Sequence, residues 1–501
     1  MAKSIMIQGT MSNAGKSLVA AALCRIFTQD GYKCMPFKSQ NMALNSYITK
    51  NGLEMGRAQV MQAEACYAEP DVLMNPILLK PTTDTGSQII LNGRPIGNMT
   101  ASEYFRHKTE FIPDIMKAYH ELEKQCDIIV IEGAGSPAEL NLKSDDIVNM
   151  GMARLAKSPV LLVGDIDRGG IFAQLIGTVK LLEKSEQDMI KALIVNKFRG
   201  DKNIFRSGCE ILEEKSGKRV AGVIPYVNCD IDDEDSLSER LENSKEGVIE
   251  IAVIRLPKIS NFTDFNVFSQ YEGVSVKYVS KPENLENPDL IIIPGTKSTI
   301  SDMKFLRESG LECKIKKLVS SGTLIFGICG GFQMLGKKIS DPLNTESGGE
   351  ISGMGLLDIS TVFCSDKTQL QTKGIFSGIG GAFSCLNGLE FEGYEIHMGK
   401  TSSDEKTFLK INGKKCGAYK NNVYGCYIHG IFDSGEISER IVKKLYELKN
   451  LEYNECKKLS RSEYKDMQYN ILADEVRKNI DLNLIYRIIS DGADTISSED
   501  D

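Results

Sequence analysis

The sequence has few of the features that mark several common functional classes. It contains no tryptophan and only four histidines among its 501 residues. Its 60 Lys and Arg residues are outnumbered by 68 Asp and Glu residues, and a broad nucleic-acid-binding face would normally require the opposite balance. No apolar run approaches the roughly 20 residues that span a bilayer, and the N-terminus does not read as a secretory signal. We therefore expect neither a nucleic acid nor a membrane as partner.

The number and spacing of the cysteines also limit the kinds of site that they can form. The thirteen cysteines are an odd number, and none of them form a Cys-x-x-Cys pair. This pattern disfavours a disulfide framework or a zinc ribbon and favours reduced thiols in the cytoplasm. The length predicts two or three domains, and 42% hydrophobic with 26% charged residues is typical of a soluble globular chain.

Residues 1–229 alternate short apolar runs with longer amphipathic stretches. Runs rich in Ile and Val and bounded by Gly, Pro or Asp are typical of strands buried on both faces, and their alternation with helices predicts a doubly wound parallel α/β sheet. The predicted strands are Ser4–Gln8, Asp127–Ile131, Val160–Val163, Ala192–Val195 and Val220–Ile224. The predicted helices are Lys16–Gln29, Ile112–Lys124 and Ile171–Lys184.

A composition break separates this region from a second α/β series. Residues 230–247 are acidic and nearly free of large apolar side chains, which predicts a solvated linker. Residues 248–450 then predict a second doubly wound domain with a flavodoxin-type sheet, and residues 451–501 predict a helical C-terminal extension with an acidic tail. The predicted strands of the second domain are Val248–Leu256, Val274–Val279, Leu290–Pro294, Thr323–Gly327 and Val423–His429.

A glycine-rich segment between the first predicted strand and the first helix predicts a phosphate-binding loop. It reads Gly9-Thr10-Met-Ser-Asn13-Ala-Gly15-Lys16-Ser17, with five residues between its glycines instead of the usual four. Backbone N–H groups in such a loop surround phosphate oxygens, and the helix N-terminus adds partial positive charge. Lys16 is expected to reach the outer phosphates and Ser17 to bind Mg²⁺. The alternative is a glycine-rich turn with an exposed lysine.

Acidic and amide side chains follow three other predicted strands. Ligands of open parallel sheets bind beyond the carboxyl ends of the strands, so these groups should face the nucleotide. Glu132 is the expected second Mg²⁺ ligand beside Ser17. Asp165 and Asp167 either face the same crevice or cap the next helix. Asn196 either reads the adenine edge or forms a turn.

The segment Gly327-Ile-Cys329-Gly330-Gly331 predicts a nucleophile elbow with sulfur in place of the serine hydroxyl. A strand passes directly into a helix, small residues permit the strained turn, and the helix N-terminus favours the reactive thiolate. The backbone N–H groups of Gly330 and Gly295 are the expected oxyanion hole. The alternative is a buried packing cysteine.

A cysteine nucleophile needs a base, and there are only four candidates. His107 and His120 lie in helical patterns and read as surface residues. His429 follows a predicted strand about 100 residues after Cys329 and is the preferred base, with His397 as competitor. The pattern identifies no third residue that would orient His429.

These motifs resemble known families. The phosphate loop with Glu132-Gly-Ala-Gly135 resembles the dethiobiotin synthetase-like branch of P-loop proteins, and Cys329-Gly-Gly with His429 resembles class I glutamine amidotransferases. Their order in one chain resembles the cobyric acid synthases of the vitamin B12 pathway. Further matching stretches are Gln40-Asn41-Met-Ala-Leu-Asn45-Ser46, Gly135-Ser-Pro-Ala-Glu139-Leu-Asn141, Asp146-Ile-Val-Asn149-Met, Gly164-Asp-Ile-Asp-Arg168-Gly-Gly170, Ser260-Asn-Phe-Thr-Asp264-Phe and Gly393-Tyr-Glu-Ile-His397.

The resemblance implies ATP- and glutamine-dependent amidation of the b, d, e and g carboxylates of adenosylcobyrinic acid a,c-diamide, with ATP and Mg²⁺ bound at the first site. It also makes Gln40, Asn41, Asp146 and Arg168 candidates for the substrate or phosphoryl crevice. The Glu that usually follows the amidotransferase histidine by two positions is Ile431 here, a departure that the cobyric acid synthases share.

Two other interpretations are compatible with parts of the sequence. A related amidase, such as a cobyrinic acid a,c-diamide synthase, would carry similar phosphate-loop and elbow motifs. A partition-type ATPase switch would share a deviant phosphate loop, but it would typically have a second lysine where Met11 stands, and it would lack the elbow.

Overall fold

The computed structural model describes residues 2–82, 86–231, 246–454 and 461–493. Within these ranges the chain forms two α/β units, each built on a six-stranded sheet. This confirms the predicted fold class. Most of the predicted acidic linker and acidic tail lies outside the described residues. No described helix is both long and apolar enough to cross a membrane.

The first unit contains twelve strands and eight helices among its described residues. Its strands are β1 (Lys3–Gly9), β2 (Cys34–Phe37), β3 (Gln40–Met42), β4 (Ser46–Ile48), β5 (Glu54–Gly56), β6 (Ile77–Pro81), β7 (Gly86–Leu91), β8 (Arg94–Thr100), β9 (Ile128–Glu132), β10 (Val160–Asp165), β11 (Ile190–Phe198) and β12 (Arg219–Pro225). Its helices are α1 (Lys16–Gln29), α2 (Arg57–Ala65), α3 (Ala101–His107), α4 (Ile112–Glu123), α5 (Met150–Ala156), α6 (Ile171–Leu181), α7 (Lys184–Met189) and α8 (Arg206–Ser216).

The main sheet of this unit is parallel throughout, in the order β12-β11-β10-β1-β9-β2. The side chains of β1 alternate between two hydrophobic cores: Ile5 and Ile7 pack with α1, whereas Met6 packs on the opposite face. Helices therefore cover both faces, as the near-continuous apolar strands predict. The prediction omitted β2, which has only four residues and contains Pro36.

One predicted helix is two helices in the structure. The predicted helix Ile171–Lys184 ends at Leu181, because Leu182 is extended, and α7 then begins at Lys184. Glu183 and Glu186 form a reciprocal capping box at this new start. The local capping preference thus interrupts an otherwise continuous helical pattern.

The second unit and the C-terminal segment follow in chain order. The strands are β13 (Ile249–Ile254), β14 (Ile259–Ser260), β15 (Val274–Val279), β16 (Leu290–Ile293), β17 (Gly295–Thr296), β18 (Leu324–Ile328), β19 (Lys338–Asp341), β20 (Gly349–Ser352), β21 (Ile359–Phe376), β22 (Glu390–Ser403), β23 (Leu409–Ile411), β24 (Lys414–Cys416), β25 (Ala418–Lys420) and β26 (Val423–Cys426). The helices are α9 (Thr299–Glu308), α10 (Leu311–Ser320), α11 (Gly330–Met334), α12 (Gly435–Leu448), α13 (Arg461–Arg477) and α14 (Leu482–Asp491).

The main sheet of the second unit has the order β15-β13-β16-β18-β26-β25, and only the edge strand β25 is antiparallel. Beside it lies a second sheet dominated by the long antiparallel pair β21 and β22. The predicted strand Val423–His429 ends at Cys426, so His429 lies in the loop beyond the strand.

The C-terminal helices return to the first unit. Leu472 of α13 and Ile485 of α14 lie in the same buried core as Phe27 of α1. Arg25 of α1, which is almost fully buried, donates to Asp466 of α13 at 2.7 Å. The predicted C-terminal extension is thus part of the core of the first unit.

The buried position of α14 predicts a specific loss of stability. Ile485 is fully buried, so Ile485→Ala should lower the free energy of unfolding by about 2 to 5 kcal/mol, through lost burial and the cavity left behind. Ile471→Ala, at a side chain that is 37% exposed on α13, is the matched control and should have a clearly smaller effect. Urea unfolding of the full chain compares the two, and equal losses would contradict the packing of α14.

Candidate functional site

The glycine-rich loop between β1 and α1 has the backbone geometry of a phosphate cradle. Gly15 has φ of 93° at the N-terminus of α1, and a Cβ atom there would lie 2.1 Å from Asn196 Nδ2. Only glycine fits this position. Lys16 is buried, and its Nζ donates to the carbonyl oxygens of Met11 at 3.0 Å and Gly135 at 3.1 Å. The ammonium group therefore lies inside the loop.

A carboxylate of the neighbouring strand lies against the first turn of α1. Glu132, at the carboxyl end of β9, is 2.8 Å from the Ser17 hydroxyl and 3.0 Å from Lys38 Nζ. The Gln62 amide also donates to Glu132, while its own carbonyl oxygen is buried without a hydrogen-bond partner among the described residues. Ser17 and Glu132 were predicted from sequence, whereas Lys38, which directly follows β2, and Gln62 of α2 were not.

A large cavity of about 1190 Å³ opens beside this cluster. Its lining includes most of the residues proposed from sequence for the first site, namely Asn13, Gly15, Lys16, Ser17, Gln40, Asn41, Glu132, Asp146, Arg168 and Asn196. Gly9 and Thr10 begin the loop but are not among the residues that line this cavity, and the Thr10 hydroxyl donates to Gln174 at 3.1 Å. Asn196 donates to the Ala14 carbonyl at 2.9 Å and so supports the loop from the cavity side.

The other polar residues predicted to line this cavity have hydrogen-bond or ion-pair partners within the protein. Gln40 accepts a hydrogen bond from Tyr104 at 2.6 Å, and Asn41 donates to Gln59 at 3.1 Å. Both oxygens of Asp146 accept backbone N–H groups at the start of α5, so this carboxylate is a helix cap at the cavity edge. Arg168 is half-exposed and free to reach a ligand, with its Nε 3.8 Å from Asp165.

The two aspartates after β10 are engaged in ion pairs. Asp165 is fully buried and pairs with Lys197 at 2.9 Å, and Asp167 pairs with Arg199 at 2.8 Å. Neither lines the cavity among the described residues. Of the acidic residues considered from sequence, Glu132 is therefore the one placed to hold a metal.

The donor set fits a magnesium nucleotide. A hydroxyl and a carboxylate meet at Ser17 and Glu132, and oxygen is the ligand type that Mg²⁺ prefers. Lys16 and Lys38 add positive charge where phosphate oxygens would lie. No group of three or more His, Cys, Asp or Glu side chains suited to a metal occurs within the described ranges. A metal at this site would accordingly complete its shell with phosphate oxygens or water.

The second site is a strained turn between β18 and α11. Cys329 has φ of 53° and ψ of −110°, and its thiol is largely buried. The turn packs so tightly that a Cβ atom on Gly331 would lie 2.0 Å from the Ile293 carbonyl oxygen. A non-glycine residue with positive φ at a strand-to-helix turn is the geometry of a nucleophile elbow.

His429 and Asp264 complete a chain of groups leading from this thiol. The His429 ring nitrogen Nδ1 is 2.7 Å from Asp264 Oδ2, and His429 lines the same small cavity as Cys329. Burial alone would lower the pKa of His429, but attraction to the Asp264 carboxylate, reinforced by Cys329, raises it to about 10. Asp264 is the orienting group that sequence spacing did not identify. The sole signal for it was its place in the stretch Ser260-Asn-Phe-Thr-Asp264.

The proposed oxyanion donors lie at the same point. A Cβ atom on Gly295 would be 3.0 Å from His429 Cε1, and one on Gly330 would be 2.7 Å from Thr296 Cγ2. The two backbone segments therefore meet beside the thiol and the imidazole.

The competing histidines are placed differently. His397 lines the same small cavity as Cys329, but its Nδ1 is 2.9 Å from the Gly399 carbonyl and its Nε2 is 3.1 Å from Glu395. Both ring nitrogens thus face acceptors other than the thiol. His107 and His120 are exposed and pair with Glu110 and Glu123. The geometry favours His429 as the base.

Comparisons with known proteins identify both units. Residues 5–237 match a family model described as the CobQ/CobB/MinD/ParA nucleotide binding domain, and residues 250–437 match one described as a CobB/CobQ-like glutamine amidotransferase domain. A protein named cobyric acid synthase from Ruminiclostridium cellulolyticum is 56% identical over 100% of this chain and 99% of its own. Its namesake from Lachnoclostridium phytofermentans is 55% identical over 98% of this chain and 100% of its own.

The chain belongs to the cobyric acid synthase family. It is a glutamine-hydrolysing amidoligase, with a nucleotide-binding unit followed by an amidotransferase unit. Among solved structures, one of PurLQS from Thermotoga maritima aligns with 40% of this chain and 98% of its own, at 19% identity and a TM-score of 0.32.

In this cobyric acid synthase-family chain, a single sheet separates the two cavities. The sheet β3-β6-β7-β8 belongs to the nucleotide-binding unit, and successive side chains of its strands point to opposite faces. Leu79 and Pro81 of β6 line the large cavity, whereas Lys80 between them lines the small cavity at Cys329. The amidotransferase pocket is therefore completed by a side chain of the nucleotide-binding unit.

The Asp264–His429 contact generates a testable prediction. In Asp264→Asn the amide cannot stabilise an imidazolium, so the pKa of His429 should fall from about 10 towards or below its ordinary 6.5. Glutamate release from glutamine should fall by about 100-fold or more, because the imidazole loses its orienting carboxylate. NMR titration of isotope-labelled histidine and a glutaminase assay measure the two effects.

The control is Asp404→Asn at an exposed carboxylate, which should change neither quantity. Because the folded-state pKa of His429 is raised, the imidazolium stabilises the fold below about pH 6.5, and this contribution is lost as the pH rises through 10. Asp264→Asn should lack that dependence of stability on pH. An unchanged titration of His429 in the variant would contradict the assignment of Asp264.

Proposed function

We propose that this chain amidates the b, d, e and g side-chain carboxylates of adenosylcobyrinic acid a,c-diamide, using ATP and glutamine, to give adenosylcobyric acid in cobalamin biosynthesis. The observation that carries the proposal is the placement of a phosphate-loop cavity and a thiol pocket on opposite faces of one sheet. Full-length similarity to proteins named cobyric acid synthase supports the choice of substrate. The free thiols among the described residues support a reducing, cytoplasmic setting.

In the amidotransferase half-reaction, His429 takes the proton of the Cys329 thiol and the sulfur attacks the carboxamide carbon of glutamine. The N–H groups of Gly330 and Gly295 stabilise the tetrahedral oxyanion. His429 then gives its proton to the departing nitrogen, so the C–N bond breaks and ammonia leaves a thioester. Water hydrolyses the thioester to glutamate, and Asp264 holds the imidazole in place throughout.

In the synthetase half-reaction, the large cavity holds the nucleotide and the corrinoid carboxylate together. The substrate ATP would transfer its γ-phosphoryl group to the carboxylate and leave as ADP, and ammonia would then displace phosphate from this acyl phosphate to give the amide; Mg²⁺ would neutralise charge on the phosphates. Lys16 and the loop N–H groups would hold the phosphates, and Ser17 with Glu132 would hold the metal. Gln40, Asn41 and Arg168 also line this cavity and are proposed to position the corrinoid.

The nearest alternative substrate is cobyrinic acid, amidated at its a and c positions. The two activities differ in how many carboxylates one corrinoid presents. Mass spectrometry of the product formed from the a,c-diamide, ATP, Mg²⁺ and glutamine should show four acid-to-amide conversions. Conversion of cobyrinic acid at two positions, with no reaction of the a,c-diamide, would overturn the proposed substrate.

Single substitutions should separate the two half-reactions. Cys329→Ser should abolish glutamine-supported amidation and leave ammonia-supported amidation, because only the nitrogen source is removed. Lys16→Ala should abolish amidation with either nitrogen donor, because the phosphates lose their buried cation. Product formation is measured with glutamine and with ammonium salts in parallel.

Matched controls use exposed side chains. Cys313→Ser and Lys124→Ala should retain both activities. Loss of ammonia-supported amidation in a folded Cys329→Ser variant would contradict the division of labour. Amidation from ammonia by Lys16→Ala would show that the phosphate loop is misassigned.

A further inference from the structure

Two opposite charges face the pocket of Cys329 without meeting a counter-ion. Lys297 is about nine-tenths buried, and its Nζ donates to the Gln88 amide oxygen at 3.2 Å. Glu346 accepts the backbone N–H of Thr299 at 2.7 Å. Within the described ranges neither side chain forms an ion pair, with the other or with a third group, although both line the same small cavity.

The other two lysines of this pocket share one carboxylate. Lys80 lies 2.8 Å and Lys367 lies 2.6 Å from the oxygens of the fully buried Glu54. Lys297 differs from them because it forms no ion pair within the described ranges; the carboxylates of Glu346 and Glu54 act on it only through space. Burial, together with repulsion by Lys367 and Lys80, lowers the pKa of Lys297 to about 7.

The acidic residue of this pocket, Glu346, is held in place by a turn that Asp341 stabilises. The carboxylate of Asp341, itself fully buried, accepts the backbone N–H groups of Thr345, Glu346 and Gly348. This fixes the turn that presents Glu346 to the pocket. Burial raises the pKa of Glu346 to about 7, although Lys297 and the hydrogen bond from Thr299 act in the opposite direction. A ligand that places an opposite charge directly beside each group would stabilise both buried charges.

The remaining long polar side chains of the pocket are occupied within the protein. Gln333 accepts from the Thr299 hydroxyl at 3.1 Å and donates to the Tyr427 hydroxyl at 3.2 Å. His397 has acceptors at both ring nitrogens. Lys297 and Glu346 are thus the groups left to recognise a charged ligand.

We propose that Lys297 binds the α-carboxylate of glutamine and Glu346 binds its α-ammonium group, which directs the side-chain carboxamide to Cys329. A zwitterionic amino-acid head supplies one charge of each sign, as this pocket requires, and a short methylene chain joins the head to the reacting carbonyl. The inference rests on glutamine being the nitrogen donor. It makes the two residues determinants of donor specificity that take no part in bond breaking.

The test pairs each residue with the donor group it recognises. The variants are Glu346→Gln and Lys297→Gln, and the donors are glutamine, glutaramate, which lacks the α-ammonium, and 4-aminobutanamide, which lacks the α-carboxylate. Ammonia release gives kcat and KM without any corrinoid product. Each variant should lose about 10- to 100-fold in kcat/KM for glutamine, mainly through KM, as for loss of a hydrogen bond to a charged group.

The two variants should lose their preference for glutamine over different donors. Glu346→Gln should no longer prefer glutamine over glutaramate but should still prefer it over 4-aminobutanamide, and Lys297→Gln should behave in the reverse way. Glu346→Asp keeps the charge and should keep the preference for glutamine over glutaramate. Glu350→Gln, on the exposed strand β20, is the control and should behave like the wild type.

Different results would contradict this inference and the proposed function. Wild-type donor preferences in both substituted proteins would overturn the inference. Ammonia-supported amidation should be unchanged in both variants, which shows that they are folded. A wild-type enzyme that discriminates the donors as expected but does not amidate the a,c-diamide would leave the inference standing and contradict the proposed function.

Discussion

A buried carboxylate lies at the contact between the two catalytic units. Glu54 of β5 is inaccessible to solvent and accepts Lys80 from its own unit at 2.8 Å. It also accepts Lys367 at 2.6 Å and Gln369 at 2.8 Å from β21 of the amidotransferase unit. Burial would raise the pKa of Glu54, but the two lysines outweigh it and hold that pKa well below its usual range. Separating the units would take Lys367 and Gln369 away from this carboxylate, so these contacts favour the docked arrangement.

The docking of the two units determines how the two cavities are related. The sheet that carries Lys80 also carries Gln88, which reaches Lys297 in the thiol pocket, while its neighbours Ser87 and Ile89 line the large cavity. Because successive side chains of a strand point to opposite faces, neighbouring residues of β7 contact the thiol pocket on one face and the large cavity on the other. Nitrogen release and carboxylate activation are divided by one layer of backbone. Neither pocket is complete without the strands of the nucleotide-binding unit.

The parts of the site that sequence predicted are those encoded locally. The phosphate loop and the thiol elbow each lie within a strand, a turn and a helix start, so glycine spacing and hydrophobic pattern were sufficient to find Lys16, Ser17 and Cys329. Lys38, Gln62 and Asp264 reach their partners from elements distant in sequence, and no periodicity encodes such contacts. The docking of α13 and α14 on α1 was missed for the same reason: an amphipathic helix shows that it has a buried face but not what covers that face.

The replacement of the usual amidotransferase glutamate shows how the chemistry depends on docking. Ile431 stands where that carboxylate would be and is buried in the core, so the orienting charge comes from Asp264 instead. Three residues before Asp264, Asn261 accepts the backbone N–H of Ser46 in the nucleotide-binding unit at 3.0 Å. Tyr394, whose ring stacks on His429, donates to the Ser46 carbonyl at 3.2 Å. Tyr394 and the segment that carries Asp264 thus both contact Ser46 of the other unit. A change in how the units dock would therefore move the groups around His429 without altering any residue of the thiol elbow.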